Sequence, residues 1–350
     1  MASFKKTKKN NFPSELRFDL ISKDWIVIAS GRAKRPASFK RDSVGRKTIS
    51  ATSCPFCINF EKQANPSLVF ADGKKVATGE KIPKNWTVIV MPNRYPAFLP
   101  SSKLDKRLEG GLYQRMNAVG FHEVVVFRNH NKQLAEFSLA EMKEVIDVYQ
   151  QRYLDLRKKK FVNYIAIFHN QGAKAGASII HPHSQIITTP LLDVDLRQAL
   201  ANSKDYFKSH KKCVYCQMAN WERRTKKRVV FENRNFLALC PFASKSAFQT
   251  IISPKKHLSY FERITEEEKR DLAEMFRIVL RKLYKGLNNP DYNFYLHTAP
   301  CDTKDYSHYH WHWTILPKAT MWAGFELGTR IEISTIAPEV ATAYLRKIQT

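Results

Sequence analysis

The sequence predicts an α+β fold made of two tandem units of strands and helices. Three features support this prediction, because each occurs in both halves of the chain. A Cys-x-x-Cys pair comes first, at Cys54 and again at Cys213. A helix start with a capping box follows, at Ser138 and again at Thr265, and a histidine lies eight residues before each of them. A His-x-His motif comes last, and the repeated order indicates an internal duplication.

The length and composition are those of a globular protein. The 350 residues allow one large or two ordinary domains, and 43% hydrophobic residues can bury a substantial core. We place the two units at residues 1–190 and 191–350. No apolar run approaches the roughly 18 residues that a membrane span needs, and no apolar segment follows the basic residues at the start of the sequence. We therefore expect a soluble, cytoplasmic protein without membrane contact.

The formal net charge of +26 comes largely from basic clusters. The clusters lie at residues 5–9, 157–160, 204–212 and 223–228. Such clusters are typical of solvated faces, and they also attract phosphorylated metabolites or nucleic acid. Because no recognised nucleic-acid-binding module accompanies them, we do not expect nucleic acid to be the partner.

The elements of the first unit follow from its apolar runs and turn residues. Strands are predicted at 16–20, 25–29, 86–91, 123–127 and 161–168, the first two as a hairpin. Residues 97–120 lack a clear pattern and are expected to form a flexible loop. An amphipathic helix is predicted from Ser138 to about Lys160.

The second unit repeats this order. Its strands are predicted around 228–239, 248–252 and 292–297, with a helix beginning at Thr265. The four paired cysteines are spaced for a tetrahedral metal ion in a tight turn, since a reducing compartment disfavours disulfides. Cys240 and Cys301 stand alone and are expected to be small core residues.

The stretch from Phe168 to Pro190 carries the predicted chemistry. A small-residue loop at 172–178 leaves backbone N–H groups free to bind a phosphate. In the strand after it, His181, His183 and Gln185 share one face. Two imidazoles beside an anion loop favour covalent phosphoryl or nucleotidyl chemistry over a pair of hydrogen-bonded structural histidines.

These residues resemble a known active-site segment. Asn170, Gly172, Ser178 and the run His181–Gln185 are similar to that of galactose-1-phosphate uridylyltransferases and their relatives in the histidine triad superfamily. The resemblance implies two tandem histidine-triad-like domains, each an antiparallel sheet (half-barrel) packed with helices. It also implies that His183 is the nucleophile that takes up a nucleoside monophosphate.

The resemblance assigns further residues to the substrates. Gln185 and Ser178 hold the phosphate oxygens of the nucleotide in this scheme. The other implied substrate-binding residues are Arg32, Arg35, Asn93, Asn170, Gly172 and Glu326. The two arginines contact phosphates and the glutamate meets sugar hydroxyls, although a basic loop and a surface glutamate explain these residues equally well. Arg330 and Ser334 depart from the family pattern, so the sugar stays open.

Two closed tetrahedral metal sites are expected, each for a structural zinc ion. The proposed ligands of the first are Cys54, Cys57, His130 and His181, and those of the second are Cys213, Cys216, His257 and His310. Counting from the helix caps pairs His308 with His181, whereas the family's His-Trp pattern favours His310. His297 resembles a metal-binding position of some relatives, but the cysteine pair offers a better-matched set.

The resemblance implies a ping-pong transfer by a homodimer whose sites are formed partly by the partner chain. The nucleotide sugar is expected to be UDP-glucose, with a hexose 1-phosphate as acceptor. The alternative is a phosphorylase of ADP-glucose or dinucleoside polyphosphates, which Ser184 favours because sugar-pathway uridylyltransferases often have glycine there. A further alternative is a zinc-stabilised nucleic-acid-binding protein. The run His308–His312 also reads as a second triad, but the segment at 298–307 has no glycine-rich loop.

Overall fold

The predicted α+β class is confirmed by a computed structural model that describes residues 14–29, 39, 50–58, 66–77, 80–318 and 323–350. The described strands are β1 (Glu15–Phe18), β2 (Trp25–Ile28), β3 (Leu68–Ala71), β4 (Lys74–Lys75), β5 (Trp86–Pro92), β6 (Lys106–Glu109), β7 (Tyr113–Met116), β8 (His122–Phe127), β9 (Tyr164–Gln171), β10 (His183–Thr189), β11 (Val229–Glu232), β12 (Phe236–Leu239), β13 (Thr250–Pro254), β14 (Tyr292–His297), β15 (His312–Pro317) and β16 (Ile333–Ser334). The described α-helices are α1 (Pro55–Ile58), α2 (Leu139–Leu156), α3 (Val194–His210), α4 (Val214–Thr225), α5 (Glu266–Gly286), α6 (Gly324–Thr329) and α7 (Pro338–Lys347).

One antiparallel sheet of eleven strands runs through both halves of the chain. Its order is β11-β12-β13-β15-β14-β9-β10-β8-β5-β3-β4. The halves join where β14 pairs with β9, with Asn293 opposite Asn170. Outward from this seam, β9-β10-β8-β5 on one side corresponds to β14-β15-β13-β12 on the other. The strand order therefore repeats in the same way as the sequence motifs.

Helices α2 and α5 pack on one face of the sheet and bury the main core. Both begin at their predicted caps, since the side chain of Ser138 accepts the N–H of Glu141 and that of Thr265 accepts the N–H of Glu268. Trp313 of β15 is fully buried there, with its ring centroid 5.3 Å from that of Phe276. Because successive strand residues alternate, the opposite face carries His183, Gln185 and Asn170. We call this opposite face the site face.

The structure differs from the predicted elements in three places. Residues 97–120 do not form a plain loop, because β6 and β7 pair as a hairpin within them. Phe161 does not begin a strand, since its φ of 64° belongs to a turn and β9 starts at Tyr164. Helices α3 and α4 follow β10 where no helix was predicted. No described helix has both the length and the apolar character needed to cross a bilayer.

Candidate active site and metal centres

His183 is the first residue of β10 and lies on the site face, buried to 7% exposure. Its Nδ1 atom is 2.9 Å from the carbonyl oxygen of His181. A carbonyl can only accept, so Nδ1 carries the proton and Nε2 keeps a free lone pair. Burial lowers the pKa of His183, against a smaller opposing effect of that hydrogen bond. The ring is thus neutral and oriented, and Phe56 packs against its side with 5.1 Å between ring centroids.

Gln185 follows on the same face and meets a residue that the sequence analysis missed. Its Oε1 atom lies 2.8 Å from Nε2 of His122, the first residue of β8. The Nδ2 atom of Asn93 lies 3.1 Å from the same ring nitrogen. Two residues assigned separately to phosphate and nucleotide therefore converge on one imidazole. The period-2 pattern of β8 could have placed His122 on this face, but no local motif marked it.

The predicted phosphate loop at 172–178 leaves β9 through Gly172, whose φ is 84°. A Cβ atom at this position would lie 2.1 Å from a carboxylate oxygen of Asp291, so only glycine fits. The other carboxylate oxygen of Asp291 accepts the backbone N–H of Lys174 at 2.9 Å. Asn293 donates to the carbonyl oxygen of Ala175 at 2.8 Å. The second half of the chain thus holds the loop of the first half.

Asn170, Ser178 and Glu326 lie in different surroundings. Asn170 is on the site face, and its Oδ1 accepts a hydrogen bond from Nδ2 of Asn293 at 2.8 Å. Ser178 is exposed at the end of the loop. Glu326 lies on α6, where its carboxylate accepts the N–H of Ala323 at 3.0 Å. Arg32 and Arg35 fall outside the described residues.

Ser184 points away from this site, into the helix-covered core. It is fully buried, and its Oγ lies 2.6 Å from the hydroxyl oxygen of Tyr149 and 3.1 Å from Nδ1 of His169. An effect of Ser184 on the choice of nucleotide base would therefore have to act through helix packing. Direct contact between Ser184 and a base bound on the site face is excluded by this geometry.

The first predicted ligand set comes together beside His183. Donor atoms of Cys54, Cys57, His130 and His181 all lie within 4.8 Å of one another. Nδ1 of His181 is 3.6 Å from Sγ of Cys54 and 3.4 Å from Sγ of Cys57. On the far side of the ring, Nε2 of His181 is 2.5 Å from the carbonyl oxygen of Phe127. That backbone contact directs the Nδ1 lone pair at the sulfur atoms.

The second predicted set comes together in the same way in the second half. It consists of Cys213, Cys216, His257 and His310, again with donor atoms within 4.8 Å. Sγ of Cys216 is 3.4 Å from Nδ1 of each histidine. The Nε2 atom of His310 faces the carbonyl oxygen of Pro254 at 3.0 Å. Of the two registers left open by the sequence, this group contains His310 rather than His308.

Both groups fit a tetrahedral Zn²⁺ ion by the chemistry of their donors. Two sulfurs and two imidazole nitrogens would close the coordination shell without an open position, a set typical of structural zinc. Burial lowers the pKa of His181 to about 4, so its ring stays neutral and able to ligate. Desolvation and the neighbouring Cys54 raise the pKa of the Cys57 thiol to about 11. A cation would favour the thiolate form of such a thiol.

A shallow cleft of about 460 Å³ lies on the site face across the seam between β9 and β14. Phe168 and Leu316 supply apolar walls, while Asn170, Asn293 and Lys318 supply polar groups. The cleft adjoins the loop at 172–178 through Asn170. Apolar surface with a few convergent polar groups is suited to binding a small polar ligand.

Comparison with known proteins identifies relatives over nearly the whole chain. The family model described as galactose-1-phosphate uridyl transferase, N-terminal domain, matches residues 3–193, and the C-terminal domain model matches residues 199–349. The chain is 32% identical to ADP-glucose phosphorylase of Arabidopsis thaliana over 345 residues, which cover 97% of this chain and 94% of that protein. It is 28% identical to galactose-1-phosphate uridylyltransferase of Thermotoga maritima over 344 residues, which cover 96% of this chain and 98% of that protein.

Solved structures are similar over the same span. A crystal structure of Arabidopsis thaliana ADP-glucose phosphorylase with bound ADP-glucose superposes with a TM-score of 0.77 at 29% identity, covering 96% of this chain and 100% of that one. A structure of a uridylyltransferase superposes with a TM-score of 0.71 at 27% identity, covering 95% and 97%. These similarities extend across both halves of the sheet.

Proposed function

The chain belongs to the galactose-1-phosphate uridylyltransferase family, and from this premise we propose that it transfers a nucleoside monophosphate from a nucleotide sugar through a covalent intermediate on His183. One observation carries the proposal. The carbonyl oxygen of His181 holds the Nδ1 proton of His183, which leaves Nε2 as the free nucleophile. The lowered pKa of His183 supports a neutral ring at physiological pH.

In the first step, Nε2 of His183 forms a bond to the α-phosphorus of the nucleotide sugar. The bond from that phosphorus to the bridging oxygen breaks, and the sugar 1-phosphate leaves with the oxygen. The Nδ1 proton stays in place, shared with the carbonyl oxygen of His181. Gln185 and Ser178 are the proposed donors to the phosphoryl oxygens. The sequence predicted free N–H groups in the loop, but those of residues 174–177 are already bonded to Asp291 and to loop carbonyl oxygens. In the second step a phosphate-bearing acceptor attacks the same phosphorus and regenerates the free histidine.

In this scheme the two metal-ligand groups have a structural role. A zinc ion held by Cys54, Cys57, His130 and His181 would supply a fixed crosslink between the α1 segment and the strand that carries His183. Because protein atoms would fill all four positions of a tetrahedral ion, its role would be structural. The second group would fix α4 to β15 in the same way.

The proposed donor is ADP-glucose, with inorganic phosphate as acceptor. The identity of 32% with an ADP-glucose phosphorylase, against 28% with a uridylyltransferase, supports this choice. UDP-glucose with a hexose 1-phosphate is the second candidate, supported by the family models that match both halves. We further propose a homodimer, and two domains that meet near residue 190.

The test is intact mass measured after the purified protein is incubated with ADP-glucose or with UDP-glucose. The proposal expects an added nucleoside monophosphate, and its mass identifies the base. His183→Ala is expected to remove the adduct while the variant stays folded and its zinc content is unchanged. An adduct of undiminished yield in this variant would exclude His183 as the nucleophile. Salt-sensitive binding to oligonucleotides with no adduct from either sugar would instead favour a nucleic-acid-binding protein.

A further inference from the structure

We propose that His122 is a positioning residue, which locks the side-chain amide of Gln185 so that its N–H donors face the phosphoryl group attacked by His183. This inference rests on the proposed function. Its basis is the pair of contacts made by the two ring nitrogens of His122, one to the backbone and one to Gln185.

The first contact fixes the tautomer of His122. The backbone N–H of Ala97 lies 3.1 Å from Nδ1 of the ring. A backbone N–H can only donate, so Nδ1 is an acceptor and bears no proton. The neutral ring then carries its proton on Nε2.

The second contact fixes the orientation of Gln185. The Nε2–H group of His122 donates to Oε1 of Gln185 at 2.8 Å. If the amide of Gln185 were reversed, its NH₂ group would face Nε2, and this nitrogen could accept only by losing its proton. The ring would then be an imidazolate, which is not stable at neutral pH. The NH₂ group of Gln185 is therefore turned away from His122 and left to donate to a ligand.

Asn93 is oriented by its own backbone contacts near the same ring. Its Oδ1 accepts the N–H of Tyr95 at 2.9 Å, and its backbone N–H donates to the carbonyl oxygen of His122 at 2.8 Å. Its Nδ2 atom, 3.1 Å from the protonated Nε2 of His122, finds no acceptor there. The hydrogens of this amide also remain for a ligand. His122 thus sits between two amides that both present donors.

The strand beneath His122 is rigid enough to serve this role. Strand β8 lies between β10 and β5, and its next residue, Glu123, forms a bidentate ion pair with Arg152 of α2 at 2.9 and 2.8 Å. Both partners of that pair are buried. Because these contacts fix the backbone of β8, the His122 ring can hold the neighbouring amide in the precise position that phosphoryl transfer requires.

Two isosteric variants separate positioning from a general structural effect. His122→Asn puts an oxygen near the Nδ1 position and keeps an acceptor for Ala97, but it loses the donor to Gln185. His122→Gln puts an amide nitrogen near the Nε2 position and keeps that donor. The rate of adduct formation is followed by intact mass with ADP-glucose and UDP-glucose. We expect the rate to fall about 10- to 100-fold in His122→Asn and less than about 5-fold in His122→Gln.

A double-mutant cycle with Gln185→Ala completes the test. If His122 acts through Gln185, His122→Asn has little further effect once the glutamine is gone. An equal slowing in both backgrounds, or a His122→Gln variant as slow as His122→Asn, overturns the inference while the proposed function stands. Absence of an adduct in the wild-type protein overturns both. Thermal unfolding identifies any variant that fails to fold. If His122→Asn does not fold, the rate of His122→Gln decides. A rate within about 5-fold of the wild type supports the inference, and a larger loss overturns it.

Discussion

Nδ1 of His312 lies 3.2 Å from the carbonyl oxygen of His310. In the first half of the chain, the equivalent contact joins Nδ1 of His183 to the carbonyl oxygen of His181 and orients the His183 ring. The surroundings of His312 differ, because Thr314 takes the place of Gln185 and no glycine precedes the strand between residues 298 and 311. The ring of His297 stacks on His312 at 4.8 Å between centroids. The second half thus has the oriented imidazole but no counterpart of Gln185 or of the glycine-containing loop before His183.

We therefore predict that His312→Ala keeps the nucleotide adduct that His183→Ala loses. His312 is buried, so its variant should also unfold at a lower temperature because of the cavity left behind. Intact mass is measured at a temperature where both variants are folded. Loss of the adduct in a folded His312→Ala variant would point to a second nucleophile.

Metal content should follow the two ligand groups independently. Wild-type protein is expected to hold two zinc ions per chain, and Cys57→Ser and Cys216→Ser should each hold one. Cys57→Ser should also slow adduct formation, since His181 would lose the anchor that fixes the carbonyl bound to His183. Elemental analysis measures the metal.

Cys301→Ser is the control for this experiment, because Cys301 lies outside both groups and should keep both ions. A wild-type protein purified without chelator that contains no zinc would contradict the structural role. Equal loss of both ions in either variant would show that the two sites are coupled.

Gly172→Ala should be much more damaging than Gly176→Ala. Both glycines have positive φ, near 85°, but a Cβ at Gly172 would collide with Asp291 whereas one at Gly176 meets nothing closer than 4.0 Å. We expect Gly176→Ala to cost about 1 kcal/mol of stability and to keep the adduct. Gly172→Ala should slow adduct formation at least about 10-fold, as expected for a displaced loop. Similar rates for the two variants would refute this account of the loop.

The buried ion pair between Arg152 and Glu123 should be important for stability. Arg152→Met leaves a buried carboxylate without its partner, which typically costs about 3–5 kcal/mol. Urea unfolding measures the change. Asp105→Asn breaks the exposed pair with Arg107 and serves as the control, with no measurable change expected because water screens it. Equal midpoints for the two variants would contradict the prediction.

Ser184→Gly should lower stability without altering the preference for the nucleotide base. The serine hydroxyl bonds to Tyr149 and His169 in the core, so its loss should cost about 1–3 kcal/mol. Tyr149→Phe removes the hydrogen bond between Tyr149 and Ser184 by deleting the tyrosine hydroxyl, and it should behave similarly. The ratio of adduct rates with ADP-glucose and UDP-glucose is the measurement. A changed ratio in Ser184→Gly would show that helix packing reaches the base.

Local signals in the sequence predicted much of this structure. The helix caps at Ser138 and Thr265 lie where the capping boxes indicated, because such boxes depend only on residues three apart. The choice between His308 and His310 needed more than spacing. It depends on the pairing of β15 with β13, which brings Pro254 to the ring of His310.

The features that could not be predicted from the sequence depend on contacts between strands that are far apart in the chain. His122 carries no motif, and its role follows from the register of β8 against β10. Asp291 and Asn293 belong to the second half but hold a loop of the first, which no pattern within either half reveals. The β6–β7 hairpin escaped prediction for another reason, since nearly all of its residues are exposed and no burial periodicity marks its strands.

The seam between β9 and β14 bears on how such a protein could have arisen. A fragment that stopped after β10 would leave β9 as a bare sheet edge, able to pair with an identical β9 from another molecule. The same fragment would lack Asp291 and Asn293, which hold the loop at 172–178 by hydrogen bonds. An ancestral half could thus have worked only in pairs, and fusion of the two copies would have freed one of them to become a scaffold for the other.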